Sequence, residues 1–222
     1  MSILEIKLIK NEILDEMYDK MKKIIPKAFE EVKDYKSDVI KNQKLLGKYL
    51  IVKLLNCTED DIYYNKLKKP YIKNSLYFNL SHSKDYLVFV SSKTEVGIDI
   101  EYISDNNMSI LEYAFNESEI EFILNNKTYL NNKVERFILA WTLKECIFKA
   151  SGIEDNLEPK DVKVDYSNIL MNRGKDNTEC IVINNKSRFY NKEYYTYSIK
   201  YFDYIISVAS IYKYDECKIV SI

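Results

Sequence analysis

The order of helical and extended patterns along the chain is what most constrains its fold. Apolar side chains recur at steps of three to four residues over 37–55, which predicts a helix that Ser37 or Asp38 caps. Strand-like segments follow at 75–80, 86–91 and 96–101. The second half repeats this order, with helices expected at 117–124 and 132–150 and strands at 162–166, 179–183, 194–201 and 204–212. The sequence therefore predicts an α+β fold.

A polar, turn-rich segment at 102–109 separates the two halves of the chain. Another helical pattern, at 11–33 and interrupted at Pro26, belongs to the first half. Each half has about a hundred residues, which is the size of a small domain. We therefore expect two α+β subdomains, residues 1–103 and 104–222.

Charge and hydropathy exclude several classes of function. The chain has 33 basic and 34 acidic residues and a net charge of −1, which argues against a dedicated nucleic-acid-binding protein. Charges interrupt the apolar N-terminal run, so it is no signal peptide. The longest uncharged stretches, such as 75–83 and 204–212, are far shorter than the ~20 residues of a membrane span. We expect a soluble, cytoplasmic protein that contacts no membrane.

The four cysteines lie far apart, without a C-x-x-C pair, so free thiols are expected and a zinc site of thiolates is not. His82 is the only histidine, so a nucleophile activated by histidine could be built only around that residue.

The segment VGIDIE at 96–101 carries two carboxylates two residues apart. On a strand, Asp99 and Glu101 project to the same face, while Ile98 and Ile100 point to the other face, toward a core. The pattern predicts either a pair of functional carboxylates or an ordinary solvated strand face.

The predicted helix at 132–150 places Trp141, Glu145 and Lys149 on one stripe, because they are spaced four residues apart. A Glu–Lys pair at this spacing is common on exposed helices, which is the simpler interpretation. The other faces of this helix are apolar, however, and a charged residue on a buried helix needs a partner.

Two further features suit an anionic ligand. Asn79, Ser81, His82 and Ser83 offer hydrogen-bond donors in a turn-like segment, although a plain polar loop would look the same. Residues 36–73 contain nine lysines and four acidic residues, a local charge of +5 that suits a polyphosphate, or alternatively a solvated lysine-rich helix.

Taken in order, these segments resemble the 4′-phosphopantetheinyl transferase superfamily, in its two-domain, surfactin-synthetase-activating type. The resemblance runs from about Ser37 to Leu157 and rests on six segments in family order: KNQKLLGKYL (41–50), KKPY (68–71), FNLSHS (78–83), VGIDIE (96–101), FNESE (115–119) and WTLKECIFK (141–149). It implies two similar α+β subdomains related by a pseudo-twofold axis, with coenzyme A in the cleft between them. The internal pseudo-dimer implies a monomer.

The resemblance implies transfer of the 4′-phosphopantetheine arm of coenzyme A to a serine of an apo acyl or peptidyl carrier protein. Adenosine 3′,5′-bisphosphate would be released. By similarity, Asp99, Glu101 and Glu145 would ligate one Mg²⁺, a cation that suits all-oxygen ligation. Glu145 would also take, directly or through a water, the proton of the carrier serine, and Lys149 would neutralise charge on the phosphate.

The coenzyme A phosphates would be held by residues that match the family's segments: Lys69, Pro70, Ser81 and His82. The family commonly has an arginine four residues before the glycine of its N-terminal helix, whereas this chain has Gln43 there. We expect one of the flanking lysines, Lys41 or Lys44, to make that phosphate contact.

Two other functions are compatible with parts of this pattern. One is a catalytically silent relative that binds coenzyme A or a carrier protein. The other is an unrelated Mg²⁺-dependent phosphohydrolase, which would leave FNLSHS and the lysine after Glu145 without a purpose.

Overall fold

The computed structural model describes residues 2–105, 108–125, 130, 132–153, 158–164, 166, 169–173, 179–183 and 186–222. Helices and sheets are both present, which confirms the α+β class. The helices of this part of the chain are α1 (Asp15–Ile24), α2 (Pro26–Glu31), α3 (Asp38–Leu55), α4 (Leu111–Ala114), α5 (Glu117–Asn125) and α6 (Lys133–Ser151).

The strands of the same residues form two larger sheets and one short hairpin. They are β1 (Ile3–Lys10), β2 (Tyr63–Tyr64), β3 (Pro70–Tyr71), β4 (Tyr77–Ser83), β5 (Tyr86–Ser92), β6 (Val96–Tyr102), β7 (Ile169–Arg173), β8 (Glu179–Ile183), β9 (Lys186–Phe189), β10 (Lys192–Tyr201), β11 (Tyr204–Ser210) and β12 (Glu216–Ser221). The first sheet has the order β12-β1-β5-β4 and the second the order β6-β11-β10-β8-β7, with β9 beside β10.

The two longest helices begin and end where the sequence predicts. Ser37 caps α3, since its hydroxyl accepts a hydrogen bond from the backbone N–H of Ile40 at 3.4 Å, and Asn132 caps α6 in the same way. Helix α6 ends at Gly152, whose φ of 62° is a left-handed conformation that glycine adopts without steric cost.

The two sheets exchange strands across the middle of the sequence. Strand β6, from the first half, pairs antiparallel with β11, whereas β12, at the far end of the second half, pairs parallel with β1. The proposed boundary between residues 103 and 104 stays a prediction, and each sheet contains strands from both sides of it. The pseudo-twofold relation of the two halves also stays a prediction.

Helix α6 lies unusually close to β6, and Gly97 is the reason. A Cβ atom at Gly97 would lie 2.1 Å from the carbonyl oxygen of Cys146 and 2.3 Å from the backbone nitrogen of Ala150. Only a residue without a side chain permits this approach. Asp99 and Glu101 follow Gly97 at two-residue steps, so the face of β6 that carries them is the face against α6.

A buried ion pair fixes α6 on its other side. The Lys144 ammonium lies 2.9 Å from the Glu119 carboxylate of α5, and both side chains are almost completely buried. Lys144 also donates to the carbonyl oxygens of Pro159 and Val162, so the ammonium is fully hydrogen-bonded. The residue next to Lys144 is Glu145, whose position therefore depends on this anchored helix.

Strand β1 is absent from the sequence prediction. Leu4, Ile6 and Leu8 are buried at alternate positions, which is the pattern of a half-buried strand. The predicted helical region 11–33 is two helices, because Pro26 lacks an N–H and begins α2 instead of continuing α1. Of the predicted strand 162–166, residue 165 lies outside the described residues, and Lys163 makes only an isolated bridge to Arg188.

Among the helices that the structure describes, none is both long enough and apolar enough to pass through a lipid bilayer.

Candidate active site

Polar side chains at alternate positions of β4 connect this strand to β6. The Asn79 side chain accepts a hydrogen bond from a backbone N–H of β6 at 2.9 Å, and the Ser81 hydroxyl donates to the Asp99 carboxylate at 2.8 Å. One step further, the Ser83 hydroxyl donates to the Glu101 carboxylate at 3.1 Å. Since β4 and β6 belong to different sheets, side chains rather than a backbone ladder join them here. We call this row of three bonds the β4–β6 seam.

Asp99 is the centre of this arrangement. It is only 3% exposed, and its Oδ1 atom lies 2.5 Å from the Lys149 ammonium, which also donates to the Ser81 hydroxyl at 3.2 Å. The other carboxylate oxygen, Oδ2, is buried and has no hydrogen-bond partner among the residues that the structure describes. A solvated strand face, the simpler interpretation of the D-x-E pattern, is therefore wrong for Asp99.

The same contact decides between the two interpretations of the Glu145–Lys149 spacing. Lys149 is not part of an ordinary surface pair, because its ammonium crosses from α6 to Asp99 of β6. Glu145 lies one turn before Lys149 on the same side of α6, and both residues line one cavity.

This cavity has a volume of about 810 Å³ and is bounded by α2, α3, the β2–β3 hairpin, β4 and α6. Its walls contain six of the nine site residues predicted from the sequence: Lys44, Lys69, Pro70, His82, Glu145 and Lys149. The other three are Ser81, Asp99 and Glu101, which meet at the β4–β6 seam. Lys149 joins the two groups, since it lines the cavity and bonds to Asp99 and Ser81.

The β2–β3 hairpin places Lys69 at the end of α6. Lys68 adopts a left-handed φ of 60°, and the Asn65 side chain accepts a hydrogen bond from the Lys69 N–H at 2.8 Å, which closes the turn. The Lys69 ammonium donates to the backbone carbonyl oxygen of Lys149. Burial lowers the pKa of Lys69 to about 8, because the charged form loses water, and the nearby Lys149 ammonium adds to this effect.

The acidic side chains of the site influence one another. Burial raises the pKa of Glu101 to about 7, and the negative charges of Asp99 and Glu145 act in the same direction. Burial also raises the pKa of Glu145, while Lys149 opposes the shift. For Lys149, burial alone favours the neutral amine, but the charges of Asp99, Glu145 and Glu101 and the hydrogen bond to Asp99 together outweigh burial, so the pKa of Lys149 is raised. Lys149 is therefore a cation among carboxylates.

His82 lies on the other side of β4 from Ser81 and Ser83. It alternates with them along the strand and lines the cavity together with Leu80. The segment that suggested a turn is a strand up to Ser83, so the interpretation as a plain polar loop is wrong. The surrounding atoms lower the pKa of His82 by partial desolvation, and Lys149 lowers it further.

The sequence suggested Asn79 and Ser83 only as donors for an anionic ligand, and their role in joining β4 to β6 was missed. Asn79 and Ser83 form two of the three bonds of the β4–β6 seam. Their two-residue spacing from Ser81 was the available signal, because residues two apart on a strand share a face. Lys48 and Tyr64 were also missed, although they line the cavity and are joined by a hydrogen bond of 2.6 Å.

Over the described residues, no three side chains of histidine, cysteine, aspartate or glutamate are grouped as ligands of one metal ion. The chemistry of the acids nevertheless fits a cation. Asp99 has a buried carboxylate oxygen without a partner among the described residues, and burial together with repulsion from Asp99 and Glu145 raises the pKa of Glu101. An ion bound to oxygen atoms would remove both unfavourable features.

Comparison with known proteins assigns the family. The sequence profile of the 4′-phosphopantetheinyl transferase superfamily matches residues 95–209, which is about half of the chain and includes β6 and α6. The chain is 38% identical over 110 residues to the 4′-phosphopantetheinyl transferase gsp of Aneurinibacillus migulanus, covering 49% of this chain and 45% of that protein.

Two other relatives carry the same activity in their names. The chain is 34% identical over 86 residues to the 4′-phosphopantetheinyl transferase psf-1 of Bacillus pumilus, covering 38% of this chain and 36% of that protein. It is 31% identical over 119 residues to the L-aminoadipate-semialdehyde dehydrogenase-phosphopantetheinyl transferase of Candida glabrata, covering 50% and 46%. The chain thus spans less than half the length of these curated relatives. Because the profile matches just over half of the chain, including β6 and α6 of the site, the chain belongs to the 4′-phosphopantetheinyl transferase superfamily.

Proposed function

We propose that this protein transfers the 4′-phosphopantetheine arm of coenzyme A to a serine of an apo acyl or peptidyl carrier protein. One observation carries the proposal. The acid–lysine pair of Asp99 and Lys149 lies next to a cavity whose walls also contain Lys44, Lys69 and His82. A large cavity with cationic walls beside a set of carboxylates suits a substrate with several phosphates.

Asp99, Glu101 and Glu145 are the residues that would hold Mg²⁺. Two features support this assignment: the Asp99 oxygen that has no partner in the described part of the chain, and the raised pKa of Glu101. When bound, the ion would polarise the pyrophosphate of coenzyme A and neutralise its charge.

Glu145 is the base of the proposed reaction. Its raised pKa makes it a stronger base than an exposed glutamate, so it accepts the proton of the carrier serine hydroxyl more readily. The serine oxygen forms a bond to the phosphorus that carries the pantetheine arm. The bond from that phosphorus to the bridging oxygen breaks, and adenosine 3′,5′-bisphosphate leaves with the electron pair.

Lys149 stabilises the charge that develops on the phosphates. Its raised pKa keeps it protonated, and its contact with Asp99 fixes the ammonium next to the acids. Lys44, Lys69, Pro70, Ser81 and His82 bind and orient the phosphates of coenzyme A. Such positioning supplies much of the rate enhancement in phosphoryl transfer.

The proposal also covers the compartment, the oligomeric state and the partners of the enzyme. We place it in the cytoplasm as a monomer, with acyl or peptidyl carrier proteins and coenzyme A as its partners. Cys57 and Cys146 form no disulfide bond within the described part of the chain, which supports a reducing compartment.

The test is to incubate the purified protein with coenzyme A, Mg²⁺ and several apo carrier proteins and to weigh each carrier by mass spectrometry. We expect one carrier serine to gain one phosphopantetheine. Glu145→Gln should slow transfer by about 10²- to 10⁴-fold, since it removes a general base. Glu135→Gln is the matched control on the same helix, because Glu135 pairs with Lys200 away from the cavity.

Three results would contradict the proposal. No mass gain on any carrier, with coenzyme A still bound, would indicate a silent relative. Cleavage of coenzyme A without labelling of a carrier would indicate a phosphohydrolase. Full activity of Glu145→Gln would remove Glu145 from its role as the base.

A further inference from the structure

The Ser83 hydroxyl holds a fixed orientation between two groups of β6. Its oxygen accepts a hydrogen bond from the backbone N–H of Tyr102 at 3.1 Å and donates to Oε2 of Glu101 at 3.1 Å. The N–H occupies a lone pair of the hydroxyl oxygen, so the hydroxyl proton is left to point at the carboxylate. The backbone of β6 thus aims Ser83 at Glu101.

The carboxylates of Asp99 and Glu101 are supported differently. Asp99 is short, almost completely buried and bonded to both Ser81 and Lys149. Glu101 is longer by one carbon and only partly buried, and among the described residues the bond that its carboxylate accepts comes from Ser83. A glutamate left without such a bond would sample several rotamers, and ordering it on a ligand would cost free energy.

The position of Ser83 at the end of β4 determines what sets its distance to Glu101. Ser83 is the last residue of β4, and β4 and β6 are edge strands of two different sheets. A backbone ladder therefore does not set the distance between Ser83 and Glu101. The β4–β6 seam sets it instead, with Asn79 and Ser81 fixing the register that brings Ser83 opposite Glu101.

We infer that Ser83 is a positioning residue that holds the Glu101 carboxylate in the orientation needed to bind a divalent cation. This inference rests on the proposed function, which places the cation at Asp99, Glu101 and Glu145. Partners of this kind, which orient a metal ligand without touching the metal, typically contribute a factor of about 10 to 100 in metal affinity.

The experiment measures the affinity for Mn²⁺ by electron paramagnetic resonance, on the full chain with saturating coenzyme A. Ser83→Ala and Ser83→Gly both remove the hydroxyl, and Ser83→Thr keeps it. The control is Ser109→Ala, an exposed serine outside the seam. Thermal unfolding of each variant is recorded in parallel, so that affinity is compared only between folded proteins.

We expect Ser83→Ala and Ser83→Gly to bind Mn²⁺ about 10- to 100-fold more weakly than the native chain. Ser83→Thr and Ser109→Ala should bind it nearly as well as the native chain. The inference is overturned if the alanine and glycine variants keep native affinity, even with a lower melting temperature, since Ser83 would then only join β4 to β6. It is also overturned if the threonine variant binds as weakly as the alanine variant. A native chain that binds no Mn²⁺ would overturn the proposed metal site itself, and this inference with it.

Discussion

Lys69 is a cavity lysine whose charged form is disfavoured by burial and by the nearby Lys149 ammonium. Burial lowers the pKa of Lys69 to about 8. The Lys69 ammonium donates a hydrogen bond to a backbone carbonyl oxygen near the C-terminal end of α6. Only the protonated form can bind a phosphate as a cation. A lysine whose folded-state pKa lies below its usual value is charged below that pKa and loses its charge as the pH rises through it.

The first prediction follows from the loss of the Lys69 charge at high pH. The affinity for coenzyme A should fall as the pH rises through about 8, because Lys69 loses the proton that binds phosphate. Lys69→Arg should shift this fall to higher pH, since a guanidinium keeps its charge. Isothermal titration calorimetry of coenzyme A binding at constant ionic strength measures both curves. Parallel curves for the two proteins would show that Lys69 does not contact the phosphates.

At the scale of single residues, the sequence predicted which polar and charged side chains lie close together better than it predicted what they bond to. Glu145 and Lys149 stood out because charged residues on a buried helix need partners, and Asp99 stood out because it shares a strand face with Glu101. The bond between Lys149 and Asp99 was not predictable, because it joins two elements 50 residues apart in sequence. The role of Ser83 was hidden for the same reason, since it depends on how two sheets meet.

At the scale of the elements, the contact between β6 and α6 depends on a missing side chain. The space at Gly97 is closed by backbone atoms of Cys146 and Ala150, which cannot rotate away as a side chain can. Gly47 is a natural comparison. A Cβ there would lie 3.8 Å from a Leu80 side-chain carbon, which is an ordinary contact.

The second prediction compares Gly97→Ala with Gly47→Ala. The change at Gly97 should lower the free energy of unfolding by about 1–3 kcal/mol or more, because it forces α6 away from β6. It should also reduce transfer, since Asp99 and Lys149 would separate. The change at Gly47 should raise stability by about 0.5–1 kcal/mol, because alanine is the better residue inside a helix. Urea unfolding measures both, and equal effects at the two positions would contradict the packing argument.

The periodicity of the chain predicted the long helices well. Helices α3 and α6 have repeated apolar positions and identifiable capping residues, so their predicted ends lie close to the observed ends. Strand β1 was missed, although Leu4, Ile6 and Leu8 alternate with polar residues. The charges of Glu5 and Lys7 interrupt the apolar run, although the other face of the strand is buried.

At the scale of the whole molecule, the exchange of β6 and β12 between the sheets ties the two halves together. Neither half can leave without breaking strand pairs with the other, because β6 pairs with β11 and β12 with β1. This exchange could not be predicted from the sequence, because local patterns do not specify which distant strands pair.

The third prediction is that the two halves unfold together. Scanning calorimetry should give one transition whose calorimetric and van't Hoff enthalpies agree, which is the criterion for two-state unfolding. Two separate transitions would contradict the coupling and would favour independent domains divided near residue 103.

The most direct test of the whole account is a crystal structure of the protein with coenzyme A and Mn²⁺, with the metal located by its anomalous scattering. We predict one peak bound by carboxylate oxygens of Asp99, Glu101 and Glu145 and by the pyrophosphate, with Lys149 beside the phosphates. A peak elsewhere, or coenzyme A bound without a metal at these three acids, would contradict it.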